Sequence, residues 1–119
     1  MADNWHVGNA TDETDEHRGW LLGHFMAEPG DPSIRATNAL EVKWGIHPAG
    51  QERPAWTSGD DRTTMVILVS GRFYVNLAVG KVLLERQGDY AVWGPGIDHS
   101  WKAEDNSVVI TVRWPSLPE

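Results

Sequence analysis

Histidine is the residue type in this chain best able to carry chemistry. The 119 residues include five histidines and no cysteine. An imidazole ring titrates near neutral pH, so it can transfer a proton or offer a nitrogen to a metal ion. Without cysteine, neither a disulfide bond nor a thiolate metal site can form. The candidate chemistry is therefore acid–base catalysis by histidine, or metal binding by histidine and carboxylate.

Hydroxyl and guanidinium groups are the other candidate binding groups. Ser58 and Thr64 could contact a ligand, but the sequence shows beside neither of them the histidine base that a nucleophile needs. Arg53 and Arg62 lie in short charged clusters and could clamp a carboxylate. Such clusters are also typical of solvated turns.

Charge and hydropathy exclude several classes of partner. Ten Lys and Arg are scattered among seventeen Asp and Glu, and the net charge is −7. No basic stripe is present that could neutralise phosphates, so we expect neither nucleic acid nor an anionic membrane surface as a partner. The first residues lack the pattern of a signal peptide, and no apolar run approaches the roughly 20 residues that span a bilayer. These features predict a cytoplasmic protein.

The elements that must position these groups read as short β-strands. Apolar residues alternate with polar ones from Leu40 to His47, which is the period of two that a strand produces. Further strands are predicted between turn-forming glycines, prolines and asparagines, at 19–26, 64–69, 73–79, 82–85, 90–93, 99–103 and 108–114. Short strands at such intervals predict an all-β sandwich or barrel with little helix.

The chain is predicted to form one domain. Residues 1–17 are polar and acidic and are expected to be a loosely packed N-terminal arm, and residues 18–119 form the predicted barrel domain. Seven tryptophans are spread along the sequence. They could fill the interior of a small barrel, or they could form the aromatic walls of a ligand cavity.

Residues 88–99 resemble the second sequence motif of the cupin superfamily, which is Gly, five residues, Pro, one residue, Gly, two residues, His. Gly88, Gly96 and His99 fall in register with this motif, while Pro95 comes one place late. The resemblance implies a cupin-type double-stranded β-helix, also called a jelly-roll barrel. It also implies that His99 points into the barrel.

The first cupin motif, which supplies two histidines and a glutamate as metal ligands, is degenerate here. Counted from Gly50, the two histidine positions are Trp56 and Ser58; counted back from Gly71, the glutamate position is Thr64. Of the four usual ligands, only His99 is retained. We therefore expect no metal and no other cofactor, although a rebuilt metal site using His47 and His99 is an alternative.

The resemblance leads to two functional hypotheses. The first is a metal-independent small-molecule-binding cupin, with His99 as acid–base group and with substrate contacts from Trp56, Ser58, Thr64 and Trp101, and secondarily Arg53 and Arg62. Such a protein could be an isomerase, a cyclase or a dehydratase. The second is a non-catalytic structural or interaction module with a tryptophan-filled barrel. In either case we expect a homodimer, because family members commonly pair through sheet edges.

Overall fold

The computed structural model describes residues 4–27 and 33–117. Nine strands and one short 3₁₀ helix, His24–Met26, account for the regular structure of these residues. The strands are β1 (Trp20–Leu22), β2 (Glu41–His47), β3 (Glu52–Thr57), β4 (Thr63–Ser70), β5 (Phe73–Leu77), β6 (Gly80–Leu84), β7 (Tyr90–Trp93), β8 (His99–Ala103) and β9 (Ser107–Trp114). The predicted all-β class is confirmed.

The strands form two antiparallel sheets that enclose one core. The larger sheet has the order β1-β2-β9-β4-β7, and the smaller one has the order β3-β8-β5-β6. Buried residues from both sheets pack together, among them Leu68 and Val109 of the larger sheet and Phe73, Val75 and Leu84 of the smaller sheet. Because chain neighbours such as β2 and β3 lie in different sheets, the chain crosses between the layers, as a jelly roll requires.

The two faces of the larger sheet have unusual compositions. In an antiparallel sheet, directly paired residues share a face. Two complete cross-strand rows face the interior, Glu41–Arg113–Thr64–Trp93 and Lys43–Thr111–Val66–Ala91. The rows on the outer face are Val42–Val112–Met65–Val92 and Trp44–Ile110–Ile67–Tyr90. Charged side chains therefore lie inside the barrel, while the outer rows carry none.

The structure corrects two of the strand predictions. The segment 19–26 was expected to be one buried strand, but β1 has only three residues, and the 3₁₀ helix follows Gly23. The glycine adopts φ 153° and turns the chain out of the sheet. β3 was not predicted, because its exposed sequence, Glu-Arg-Pro-Ala-Trp-Thr, has no alternating apolar pattern. The turn expected at residues 28–32 lies outside the described residues.

Residues 9–19 form a series of hydrogen-bonded turns rather than regular structure. The backbone amides of Glu13 and Gly19 donate to the carbonyls of Asn9 and Thr14, and the Glu13 carboxylate lies 3.6 Å from the Arg35 guanidinium. Within the described ranges, no helix is long and apolar enough to cross a membrane.

Candidate functional site: a basic cavity inside the barrel

A cavity of about 160 Å³ lies between the two sheets. Both sheets contribute to its walls. Its lining includes three tryptophans, Trp20, Trp93 and Trp101, the histidines His47 and His99, the hydroxyl residues Thr57, Thr64, Ser100 and Thr111, and the cations Lys43, Arg53 and Arg113. At roughly 30 Å³ per water molecule, the volume corresponds to about five waters. The barrel is therefore not filled by its own tryptophans.

The cavity is lined by positive charge only, because three cations line it and no Asp or Glu does. In the described part of the chain, no carboxylate lies within ion-pairing distance of the Lys43 amine. Lys43 instead lies over the Trp20 ring, 5.3 Å from its centroid. Burial lowers the pKa of Lys43, and the positive charge of Arg113 lowers it further. A nearby carboxylate would raise the pKa instead, and none of the described residues does so.

Arg113 is a second cation beside Trp20, at the end of the cavity where Lys43 also lies. Its guanidinium contacts the Glu41 carboxylate at 2.6 Å and lies over the Trp20 ring, 4.7 Å from the centroid. Its Nε is buried without a hydrogen-bond partner, and so is the hydroxyl of its cross-strand neighbour Thr64. Buried donors are normally satisfied in proteins. Among the described residues that line the cavity, these are the two with a buried side-chain polar atom that has no hydrogen-bond partner.

Arg113 is positioned by a buried network around Glu41, whose side chain is 1% exposed. One carboxylate oxygen of Glu41 accepts hydrogen bonds from Arg62, at 2.8 Å, and from Arg113. The other accepts a hydrogen bond from the Ser116 hydroxyl at 3.0 Å. Asp60 holds Arg62 from the opposite side at 2.9 Å.

His47, which the sequence offered only as a ligand of a rebuilt metal site, is half-buried and lines the cavity. It shares the inner face of β2 with Lys43, and its ring centroid lies 4.4 Å from that of Trp101. Its Nδ1 donates to the Gln51 side-chain carbonyl at 2.6 Å, which leaves Nε2 without a proton in the neutral ring. A Cβ atom added to Gly45 would lie 2.6 Å from this Nε2, so the glycine keeps the space beside it open.

The environment of His47 favours the neutral imidazole. Burial lowers its pKa, the hydrogen bond to Gln51 raises it, and the positive charge of Lys43 lowers it again, with a net decrease. At neutral pH, His47 is therefore a base with an available lone pair.

His99 lies in the cavity wall, but its Nδ1 is occupied. The Trp93 indole N–H donates to His99 Nδ1 at 3.1 Å, and the Ile97 carbonyl lies 3.1 Å from the same nitrogen. An Nδ1 that accepts from Trp93 cannot also donate to Ile97, so the neutral ring carries its proton on Nε2. In that form His99 can donate a hydrogen bond to a ligand, whereas His47 can accept one.

The structure brings together four of the predicted site residues. His99, Thr64, Trp101 and Arg53 all line the cavity. Arg53 and Trp101 are direct partners across β3 and β8. Sequence reasoning missed the contributions of Lys43, Arg113 and Thr57, and it left His47 as a secondary candidate. The only signal for Lys43 and Arg113 was their place on alternating strands, which does not tell which face points inward.

Three other predicted residues do not line the cavity. Trp56 is 49% exposed, and Ser58 is also exposed, whereas Thr57 between them faces the cavity. On β3, Arg53 and Thr57 are four residues apart and both face the cavity, so the alternation of side chains along the strand puts Trp56 on the opposite face. Arg62 clamps a carboxylate as expected, but the carboxylates are those of Glu41 and Asp60.

A metal of the kind that cupins bind does not fit the residues of this site. Within residues 4–27 and 33–117, no group of three or more His, Cys, Asp or Glu side chains could hold a metal ion. Hard and borderline divalent metals need three or four such ligands. The cavity also presents Thr57 and Thr64, but neither is a histidine or a carboxylate that could complete a metal site with His99.

Comparison with known proteins identifies the architecture. No protein-family model matches the sequence, and no curated protein matches it either. Among solved structures, KdgF from Halomonas sp. superimposes with a TM-score of 0.60 at 24% identity, over 66% of this chain and 72% of that one. An RmlC-like cupin from Shewanella frigidimarina gives a TM-score of 0.59 at 20% identity, over 66% and 68%. This chain has the cupin fold.

The cupin fold accommodates enzymes among these neighbours. The salicylate 1,2-dioxygenase of Pseudoaminobacter salicylatoxidans, solved as a mutant in complex with gentisate, superimposes with a TM-score of 0.58 at 18% identity. The match covers 66% of this chain and 22% of the dioxygenase. At these identities the likeness concerns the cupin fold alone, so the function must be argued from the cavity itself.

The environment of His47 generates a titration prediction. We expect the pKa of His47 to lie below the ordinary histidine value of about 6.5. Stability should fall as the pH drops from about 6.5 to the lower pKa of the folded state, because over this window the unfolded chain binds the proton more readily than the folded one. Lys43→Met should raise the pKa of His47, and Gln51→Leu should lower it further. Histidine ring signals followed by NMR across pH test this, with exposed Lys102→Met as control. An unchanged His47 titration in Lys43→Met would contradict the assigned environment.

Proposed function

We propose that the protein binds a compact organic anion, such as a carboxylate, inside the barrel without a metal ion. The observation that carries this proposal is the convergence of Lys43, Arg53 and Arg113 on a cavity that no carboxylate lines. Arg113 already has Glu41 as a partner, whereas Lys43 has none among the described residues. An anionic ligand would supply the missing counter-charge.

The unsatisfied donors of the cavity support the same ligand class. Thr64 Oγ1 and Arg113 Nε are buried without partners on adjacent strands, so a ligand oxygen would satisfy donors that are otherwise costly to bury. The guanidinium and ammonium groups suit a carboxylate in complementary ways, because the first is a planar fork and the second a mobile point charge. The volume of about 160 Å³ is well below the roughly 300 Å³ at which drug-sized pockets begin. The group held inside must therefore be small.

Acid–base chemistry on the bound anion is the activity that the cavity could support. His47 offers an unprotonated Nε2 beside the open space at Gly45, and His99 carries a proton on its Nε2 when neutral. Two imidazoles with complementary roles in one cavity are suited to moving a proton from one ligand atom to another. An isomerase, cyclase or dehydratase activity is consistent with this pair. His47, rather than His99, is the proposed base.

We also propose that the protein is a homodimer, through the outer face of the larger sheet rather than through sheet edges. The rows Val42–Val112–Met65–Val92 and Trp44–Ile110–Ile67–Tyr90 form a broad face without charge. On this face, Ile46 is 44% exposed, Tyr90 63% and Val92 48%. Apolar patches of this kind are typical of protein interfaces. A second copy would bury the same rows against each other by sheet-on-sheet packing.

The anion proposal predicts a specific effect of Lys43→Met. This change keeps the length of the side chain and removes its charge, so it should weaken binding of small carboxylates by about tenfold to a hundredfold, the range for a charge-assisted hydrogen bond. A panel of short organic acids and their uncharged amides, measured by calorimetry, tests it. Lys102→Met is the matched control on the exposed side of β8. Equal binding of acids and amides, or equal affinities in both variants, would contradict an anion site.

The dimer proposal predicts that Ile67→Lys separates the protomers. A lysine in the middle of the apolar face would place a charge in the interface, which costs several kcal/mol when it is unpaired. Sedimentation velocity at micromolar concentration should show a dimer for the wild type and a monomer for this variant. Val79→Lys, at a residue that is 76% exposed in the β5–β6 hairpin, should remain dimeric. A wild-type protein that sediments only as a 13.3 kDa species would refute the dimer.

A further inference from the structure

A second, larger cavity lies against the first at one end of the barrel. Its volume is about 510 Å³, and its walls come from the N-terminal segment, the 3₁₀ helix and the ends of β2 and β9. We call it the vestibule and define it by Trp20, His24, Phe25, Met26, Arg113 and Leu117. Trp20 and Arg113 line both cavities. The vestibule therefore adjoins the proposed anion site at these two side chains.

A short path of aromatic rings leads from the anion site into the vestibule. The Lys43 amine lies 5.3 Å from the Trp20 ring centroid, and the Trp20 and Phe25 centroids are 4.9 Å apart. The His24 ring follows, 5.0 Å from Phe25. Phe25 is 40% exposed, which is unusual for a phenylalanine and leaves part of its surface open to a ligand.

The aromatic wall is anchored to the buried network. The backbone N–H and the Nδ1 of His24 both lie within hydrogen-bonding distance of the Ser116 hydroxyl, at 3.0 and 2.6 Å. Ser116 in turn donates to Glu41. The wall and Arg113 are thus held by the same carboxylate, so their relative positions are set before a ligand arrives. Such preorganisation lowers the entropic cost of binding.

Charge decides which part of a ligand would occupy which cavity. The vestibule carries charges of both signs, since Glu16 and Glu41 line it together with Arg18, Arg62 and Arg113, whereas the barrel cavity is lined by cations and by no carboxylate. An anionic head therefore belongs in the barrel beside Lys43, where no carboxylate competes with it, and an uncharged body belongs in the vestibule. Since the barrel cavity is too small for a whole aromatic acid with a side chain, a larger ligand would have to use both spaces.

We propose that the vestibule is a second subsite, which receives the aromatic ring of an arylalkanoic acid whose carboxylate lies in the barrel cavity. This inference rests on the proposed anion site and names the class of its ligand. Trp20 borders both the carboxylate and the start of the ring, and Phe25 stacks on the ring itself. The vestibule then makes the affinity depend on the length of the ligand. This effect is separate from the selection of a negative charge by Lys43.

The test compares butyrate with 4-phenylbutyrate on the full chain, by calorimetry. Burial of the phenyl group should make 4-phenylbutyrate bind at least about tenfold more tightly than butyrate to the wild type. Phe25→Ala should remove about threefold to tenfold of that gain, the range for an aromatic pair, and leave butyrate unaffected. Trp56→Ala, a change at another exposed aromatic residue outside both cavities, should keep the full gain. Lys43→Met should weaken both acids by the same factor.

A measurement on the wild type avoids any dependence on the folding of the variants. Nuclear Overhauser effects should connect the phenyl protons of bound 4-phenylbutyrate with the Phe25 ring. The vestibule subsite is overturned if butyrate binds in a Lys43-dependent way but the phenyl group adds no affinity, or if its gain survives Phe25→Ala without such Overhauser effects. The anion site itself is overturned if neither acid binds, or if 4-phenylbutyramide binds as tightly as the acid.

Discussion

The buried carboxylate of Glu41 is the interaction on which the rest of the site depends. It joins Arg62 from the β3–β4 connection, Arg113 from the end of β9 and Ser116 from the C-terminal segment. Removing one partner of a buried ion pair typically costs about 3–5 kcal/mol, because the remaining charge is left uncompensated. Glu41 therefore ties these three segments together at one end of the barrel and at the same time fixes Arg113 over Trp20.

The use of Glu41 for this purpose determines the charge of the cavity. The chain carries a net charge of −7, yet its interior cavity is lined by cations and by no carboxylate. Glu41 and Asp60 together balance the charges of Arg62 and Arg113 at the barrel end, and no acidic side chain of the described residues pairs with Lys43. Burial lowers the pKa of both Lys43 and His47, and a neighbouring positive charge lowers each of them further, that of Arg113 for Lys43 and that of Lys43 for His47. The uncompensated cations that favour an anion therefore also contribute to the neutral state of His47.

The architecture could be predicted from the sequence better than the site, for a physical reason. The alternation from Leu40 to His47 identifies a strand, but it does not tell which set of residues faces inward. The apolar set would ordinarily form the core. Here Trp44 and Ile46 face outward, while Lys43 and His47 face the cavity, so the ordinary rule assigns the two faces of this strand the wrong way round. The motif spacing likewise pointed to Trp56 and Ser58, whereas β3 turns the face of Arg53 and Thr57 toward the cavity. The motif spacing also selected His99 and Thr64, and both of these residues line the cavity.

The titration of Lys43 tests most directly whether this residue is a buried cation that awaits an anionic partner. Its side-chain signals can be followed by NMR from neutral to alkaline pH, first in the free protein and then with saturating butyrate. We expect a pKa below that of an ordinary lysine in the free protein, and a clear rise when the acid is bound. An ordinary pKa in the free protein, or an unchanged one in the complex, would contradict an anion site at Lys43.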